Sequence, residues 1–243
     1  MTRPLFDASS TAGSGNLGDL PEWDLTDLYP GPDAPEWGRD MDEVEAECAS
    51  FAADYEGALG ALDGVGMLEA VRRYEAIQTK VGRLMSYAGL RYYQATTDGA
   101  RAKFMSDAQD AITAHTTPLV FYSLEINRLD DSHIEALFDE SAELARYRPV
   151  FERLRAMKPH QLSDELEKFL HDQSSVGASA WNKLFDETIA GLTFTIDGKE
   201  RGIEATLNLL SDRDRAKREA GARELARVFG ANSRTFARIH NTL

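Results

Sequence analysis

The side chains best suited to chemistry are five histidines, His115, His133, His160, His171 and His240, and one cysteine, Cys48. Two of the histidines share the stretch MKPHQLSDELEKFLHDQ, Met157 to Gln173, with the carboxylates of Asp164, Glu165, Glu167 and Asp172. A divalent metal needs imidazoles that converge, which a pair at i and i+4 on a helix provides, as in H-E-x-x-H. No two histidines here stand four apart. His160 and His171 would fall on nearly the same face of a continuous helix, but at 1.5 Å per residue they would sit about 16 Å apart along it, too far for one ion. Pro159 also places His160 in a loop. Glu167 and His171 are at i and i+4 and can touch, a pairing expected to be a surface contact. A di-iron bundle would need two Glu-x-x-His motifs, and the chain has none.

Cys48 lies on an apolar helical position, so it is expected to be an inert core thiol, and a lone cysteine excludes an intramolecular disulfide. No local signal supports a Cys48–His dyad. Neither G-x-x-x-x-G-K-[ST] nor G-x-S-x-G occurs, so no phosphate cradle or nucleophile elbow is expected. The arginines from Arg213 to Arg227 are interleaved with Asp212, Asp214, Glu219 and Glu224 and read as a salt-bridged solvated face. From the residues themselves, the catalytic, cofactor-binding and metal sites are all read as none.

The elements that would position any site are mainly helical. Trp37, Met41, Val44, Cys48, Phe51, Tyr55 and Leu59 recur at three or four residues, and Leu68, Val71, Tyr74, Ile77, Val81, Leu84 and Ala88 repeat the rhythm. A third helix runs through Phe104, Ala108 and Ile112 and meets Pro118, which should split it because proline has no N–H to donate. Shorter helices are expected over about 132–139 and 150–157. Ser163, followed by Asp164 and Glu165, reads as a helix start, with Leu162, Leu166, Phe169 and Leu170 as its packing face. LTFTIDGKERGIEA differs: Leu192, Phe194 and Ile196 alternate with threonines, and Asp197-Gly198 suits positive φ, which predicts a β-hairpin near 192–204. Ser211 and Asp214 resemble a capping box for a last helix striped by Leu225, Phe229, Phe236, Ile239 and Leu243. That stripe reads as open, which predicts self-association through the C-terminal helix. The fold class is therefore mainly α, an antiparallel arrangement of helical hairpins with one small β-hairpin.

The 243 residues are 42% hydrophobic and 28% charged, an ordinary globular composition. No apolar run approaches the roughly 18 residues of a membrane span, and the first twenty residues lack the apolar core of a secretory signal; a cytoplasmic location is expected. The net charge of -14 is one-sided: residues 1–70 hold sixteen Asp/Glu against Arg3 and Arg39, and the other 173 residues are balanced. An acidic arm on a neutral body repels nucleic acid and anionic membrane, so neither is expected as a partner. The Gly/Ser-rich run at 7–19 reads as a disordered leader, with folding starting at Trp23, Leu25, Leu28 and Tyr29.

Several stretches together resemble the N-terminal part of oligoendopeptidase F, of the M3 family of zinc metallopeptidases. LPEWDLTDLYP is similar to that family's Trp-x-Leu-x-x-Leu-Tyr opening. LMSYAGLRYYQATTD is similar to its early helical hairpin, and LVFYSLEIN to the helix that follows. The block from Tyr147 to Gly198, with KPHQLSDELEKFL and SAWNKLFDETIAGLTFTIDG, is the most specific part. The resemblance implies a leader over 1–19, an N-terminal helical domain over 20–130, a helical subdomain with the hairpin over 131–204, and the start of a catalytic domain over 205–243. It further implies hydrolysis of peptide bonds in short oligopeptides, with zinc held by an H-E-x-x-H helix and a downstream glutamate, and a helical wall around the substrate channel. That motif is absent from this sequence, so no ligand or catalytic residue carries over, and the fragment alone is expected to bind no zinc and to be inactive. Two other readings stand beside this one: a non-catalytic helical interaction module, and a helical hydrolase using Cys48.

Overall fold

The structure, a computed structural model, describes residues 23–242. The leader expected over 1–19 lies outside them. The described chain divides into two compact units built from interleaved segments: one from residues 25–90 and 104–175, the other from 23–24, 91–103 and 176–242.

The larger unit begins with α1 (Pro35–Tyr55), which has proline in its first turn, and α2 (Gly64–Tyr93). Proline is tolerated there because that turn's N–H groups have no helical partner. Asp63 caps α2 by accepting the Gly66 N–H at 2.7 Å. α3 (Gly99–Thr116) stops where Pro118 requires: residues 117–119 form a 3-10 turn, and α4 (Val120–Arg128) continues beyond it. α5 (Asp131–Glu140), α6 (Ala142–Ala145), α7 (Arg148–Arg155) and α8 (Asp164–Asp172) complete this unit.

Its core follows from the two apolar stripes. Val44, Cys48 and Phe51 of α1 are buried with Met67, Val71, Leu84 and Tyr87 of α2 and with Phe121, Tyr122 and Ile126 of α4. At about 1.5–3 kcal/mol for each large side chain removed from water, this shared burial outweighs any local propensity. The Phe51 ring packs against Tyr55, Tyr74, Phe121 and Tyr122, and Tyr74 stacks on Tyr122 at 4.0 Å between centroids. Tyr29 packs edge-on to Trp37 and Tyr87, and its hydroxyl donates to Asp40 Oδ2 at 2.7 Å. The proposed anchor therefore holds at Leu25, Leu28 and Tyr29 but not at Trp23, which is 58% exposed.

The second unit carries α9 (Ala178–Ala190), strands β1 (Phe194–Ile196) and β2 (Lys199–Arg201), α10 (Ile203–Leu209) and α11 (Arg215–Thr242). The strands pair antiparallel, Phe194 opposite Arg201 and Ile196 opposite Lys199. Between them Asp197 and Gly198 adopt φ of 53° and 71°, the left-handed pair a two-residue hairpin needs. Alternation then buries Phe194 and Ile196, and Thr195 points its N–H at Glu224 Oε1 of α11, 2.7 Å away.

Three expectations about helix faces and caps need correction. The α11 stripe is not open: Leu225, Val228 and Ile239 are buried, and Phe229 packs against Phe194. Ser211 does not cap α11, which starts at Arg215; Asp214 does, accepting the Ala216 N–H at 2.8 Å. Leu162, Leu166, Phe169 and Leu170 are not buried, and α8 has no buried residue at all. Its apolar side chains are each about half exposed, from 48% at Leu162 to 58% at Phe169.

Candidate functional site

Within the larger unit, α2, the end of α3, the 3-10 turn, α4 and α8 enclose a cleft of about 510 Å³. Its walls are apolar at Val81, Leu119, Val120 and Leu170 and polar at Tyr74, Gln78, Thr116, Ser123, Glu167 and His171. Helical periodicity explains the membership: Tyr74, Gln78 and Val81 share one face of α2, and Glu167 and His171 one face of α8.

The end of α8 is tied across this cleft by polar contacts. His171 Nε2 lies 3.2 Å from Thr116 Oγ1 and 3.3 Å from the Thr113 carbonyl. The Thr116 hydroxyl already donates to the Ile112 carbonyl at 2.7 Å. A carbonyl can only accept, so the network assigns Nε2 as the donor. Next to it, the Thr117 hydroxyl donates to Asp172 Oδ1 at 2.5 Å. Farther along α8, Lys168 reaches Glu56 at 2.8 Å and Asp164 pairs with Arg128.

Glu167 and His171 share a face, as their spacing requires, but each is engaged elsewhere. Glu167 Oε1 accepts the Leu162 N–H at 2.8 Å. Glu167 thus serves an orphan donor at the start of α8, while Ser163 occupies the cap position without a side-chain cap bond. His160 ends an exposed 3-10 turn, Lys158–His160. His115 Nδ1 lies 3.9 Å from Glu45 Oε1, and His240 is exposed near the end of α11. No three His, Cys, Asp or Glu side chains converge on a possible ion among the described residues.

Cys48 is fully buried, and burial, followed by the Glu47 charge, pushes its thiol up to about 11. The thiolate a nucleophile requires is thus strongly disfavoured. Burial likewise raises the phenols of Tyr74 and Tyr122, which remain hydrogen-bonding groups. The cleft can hold a ligand by hydrogen bonds and apolar contact.

The expected salt-bridged face of α11 is present: Arg223 meets Glu219 at 2.6 Å and Arg227 meets Glu224 at 2.7 Å. Its periodicity did not disclose that Glu224 also anchors the hairpin. Arg227, then the Thr195 N–H, hold its carboxyl down to about 2. One further pattern is legible by letter: Gly13–Gly18, GSGNLG, fits G-x-G-x-x-G. It lies outside the described residues, and the spacing alone assigns no ligand.

Residues 125–194, from late α4 to the first residue of β1, match the family described as Oligopeptidase F. Oligopeptidase PepF of Bacillus subtilis (strain 168) is 25% identical over 227 residues, covering 91% of this chain and 32% of its own. The plasmid oligoendopeptidase F of Lactococcus lactis subsp. cremoris is 24% identical over 237 residues, covering 93% of this chain and 39% of its own. The crystal structure of oligoendopeptidase-F from Enterococcus faecium shares the fold with a TM-score of 0.73 at 23% identity, over 85% of this chain and 42% of that one. The chain thus spans 32% and 39% of the lengths of these two relatives.

Proposed function

We propose, because this chain is a relative of oligoendopeptidase F, that it forms the helical wall of a peptide channel in a zinc-dependent, cytoplasmic enzyme that hydrolyses peptide bonds in short peptides. The observation that carries the reading is the alignment with named oligopeptidases along nine-tenths of the chain. The proposed layout keeps a helical domain over 20–130, a subdomain with the hairpin over 131–204 and the start of a catalytic domain from 205.

The residues described here do not fit the family's zinc, since no three potential ligands converge among them. Their contribution is shape. The cleft beside α8 offers a hydroxyl, an amide, an imidazole and a carboxylate beside apolar walls. That mixture suits an extended peptide, whose backbone needs hydrogen-bond partners and whose side chains need apolar contact.

The test has two arms. The purified 243-residue chain is expected to retain less than one zinc per molecule and to leave a quenched fluorogenic heptapeptide uncut; chelator-sensitive cleavage by this chain would refute the wall-only role. The same heptapeptide at millimolar concentration is expected to shift the backbone amide resonances of residues 74–81 and 167–171. Unchanged resonances there would remove peptide contact from the cleft.

A second reading, an interaction module without catalysis, is favoured by the uncovered apolar face of α8, where Leu166, Phe169 and Leu170 are each more than half exposed. The reading frame after codon 243 separates the two: an H-E-x-x-H sequence downstream supports the peptidase, and an immediate stop codon supports the module.

A further inference from the structure

In the second unit, a line of rings runs from β1 along α11 to α9: Phe194 to Phe229 at 6.1 Å, Phe229 to Phe236 at 6.0 Å, and Phe236 to Phe185, the pair that joins the two helices, at 5.9 Å. Between the same two helices lies a cleft of about 260 Å³. Trp181 and Leu184 of α9 and the buried Ile239 of α11 supply its apolar surface, and Arg234 and Arg238 stand at its edge.

The charge arrangement is unusual for this chain. Net charge is -14, yet no Asp or Glu follows Glu224. Arg227, the first cation after it, is neutralised by Glu224. Arg234 and Arg238 have no carboxylate partner among the described residues, and the acids of α9, Asp186 and Glu187, do not line the cleft. Two like charges at i and i+4 on a helix repel one another. Their guanidinium forks present paired N–H donors matched to a planar oxyanion, next to an indole and two aliphatic side chains.

We propose that Arg234, Arg238 and Trp181 form a binding site for a carboxylate carried on an apolar body, the carboxylate taken by the two guanidinium groups and the apolar part by Trp181, Leu184 and Ile239. The carboxylate chemistry is shared by the C-terminus of a short peptide and by an acidic side chain. Where the ligand is a peptide substrate the site deepens the channel reading above. Its test needs no turnover, so the two readings fail separately.

The experiment titrates the full chain with three probes, N-acetyl-Leu-Phe, its C-terminal amide, and N-acetyl-Leu-Glu-amide, and follows tryptophan fluorescence. At least one carboxylate probe is expected to bind about tenfold or more tighter than the neutral amide, as charge-assisted hydrogen bonds to arginine imply. The tighter of the two carboxylates identifies the source as terminus or side chain. The Arg234→Gln/Arg238→Gln variant is expected to lose that preference, and Trp181→Phe to lose the fluorescence change. Raising salt from about 0.05 M to about 0.5 M should weaken carboxylate binding and leave the amide unchanged. Equal binding of acid and amide, no binding of either acid by about 10 mM, or full retention of binding by the double variant overturns the proposal. If the arginines serve only the C-terminal helix dipole, the double variant lowers Tm while acid and amide remain indistinguishable in the native chain. Should the double variant fail to fold, Arg234→Gln alone and the acid-to-amide ratio on the native chain decide.

Discussion

Removing His171 and Asp172 together, as His171→Ala/Asp172→Ala, is expected to release α8 while the rest of its unit stays folded. α8 has no fully buried residue and its apolar side chains are only about half covered, so apolar burial holds it weakly. What holds it are the His171 contacts to Thr116 and Thr113 and the Thr117 bond to Asp172. A neutral hydrogen bond contributes about 1 kcal/mol net, and one to an exposed carboxylate about as much after solvent screening, which gives roughly 2 kcal/mol for the clasp. The remaining ion pairs, Lys168–Glu56 and Arg128–Asp164, are solvent-exposed and add at most a few tenths each. At 1.4 kcal/mol per decade, losing the clasp should speed amide exchange across residues 164–173 by about 30-fold. Hydrogen-exchange mass spectrometry reads this directly, with Val44–Phe51 of α1 as the internal reference. An acceleration below about threefold, or an equal one in α1, refutes the account. Lys168→Ala alone should change exchange by less than about threefold.

Two further outcomes follow from particular contacts. Glu224 is held down to about 2 from an ordinary 4.5, so its contribution to stability is fully present above pH 4.5 and is lost as pH falls toward 2; Glu224→Gln should flatten that part of the acid-unfolding curve, and an unchanged curve would detach Glu224 from the hairpin. Gly64→Ala places a Cβ 2.8 Å from both the Leu137 carbonyl oxygen and Glu140 Cβ, so denaturant titration should show a loss of about 1–3 kcal/mol, whereas a helix-propensity effect alone would stabilise by up to about 1 kcal/mol.

The helices of the larger unit were legible because their burial is carried by single-element periodicity. The stripe from Trp37 to Tyr55 announces α1, Pro118 announces the break after α3, and Asp197-Gly198 announces the hairpin. The clasp was not legible, because His171 meets Thr113 across 58 residues of sequence and Asp172 meets Thr117 across 55. Periodicity also misjudged α8: Leu166, Phe169 and Leu170 form a proper amphipathic face, but amphipathicity states which side is apolar, not that a neighbour covers it. Trp23 erred for the same reason. Glu224 read as one partner in a solvated charge pair, because its second bond runs to a backbone N–H in another element. The α9–α11 cleft was hidden because Trp181 and Arg234 are 53 positions apart in sequence.

The interleaving of the two units bears on how the chain is born. Residues 25–90 cannot complete their unit until residue 175 has been made, and the segment 91–103 must wait for 176–242. At about 5–20 residues per second on a ribosome, the 85 residues from 90 to 175 take roughly 4–17 s, and until they are made the unit formed by α1 and α2 lacks its last helices. No single cut in the chain separates the two units, because 91–103 of the smaller lies inside the larger. A nascent chain stalled near residue 130 is therefore the form most in need of a chaperone, and one stalled just beyond 175 should be the first to resist proteolysis.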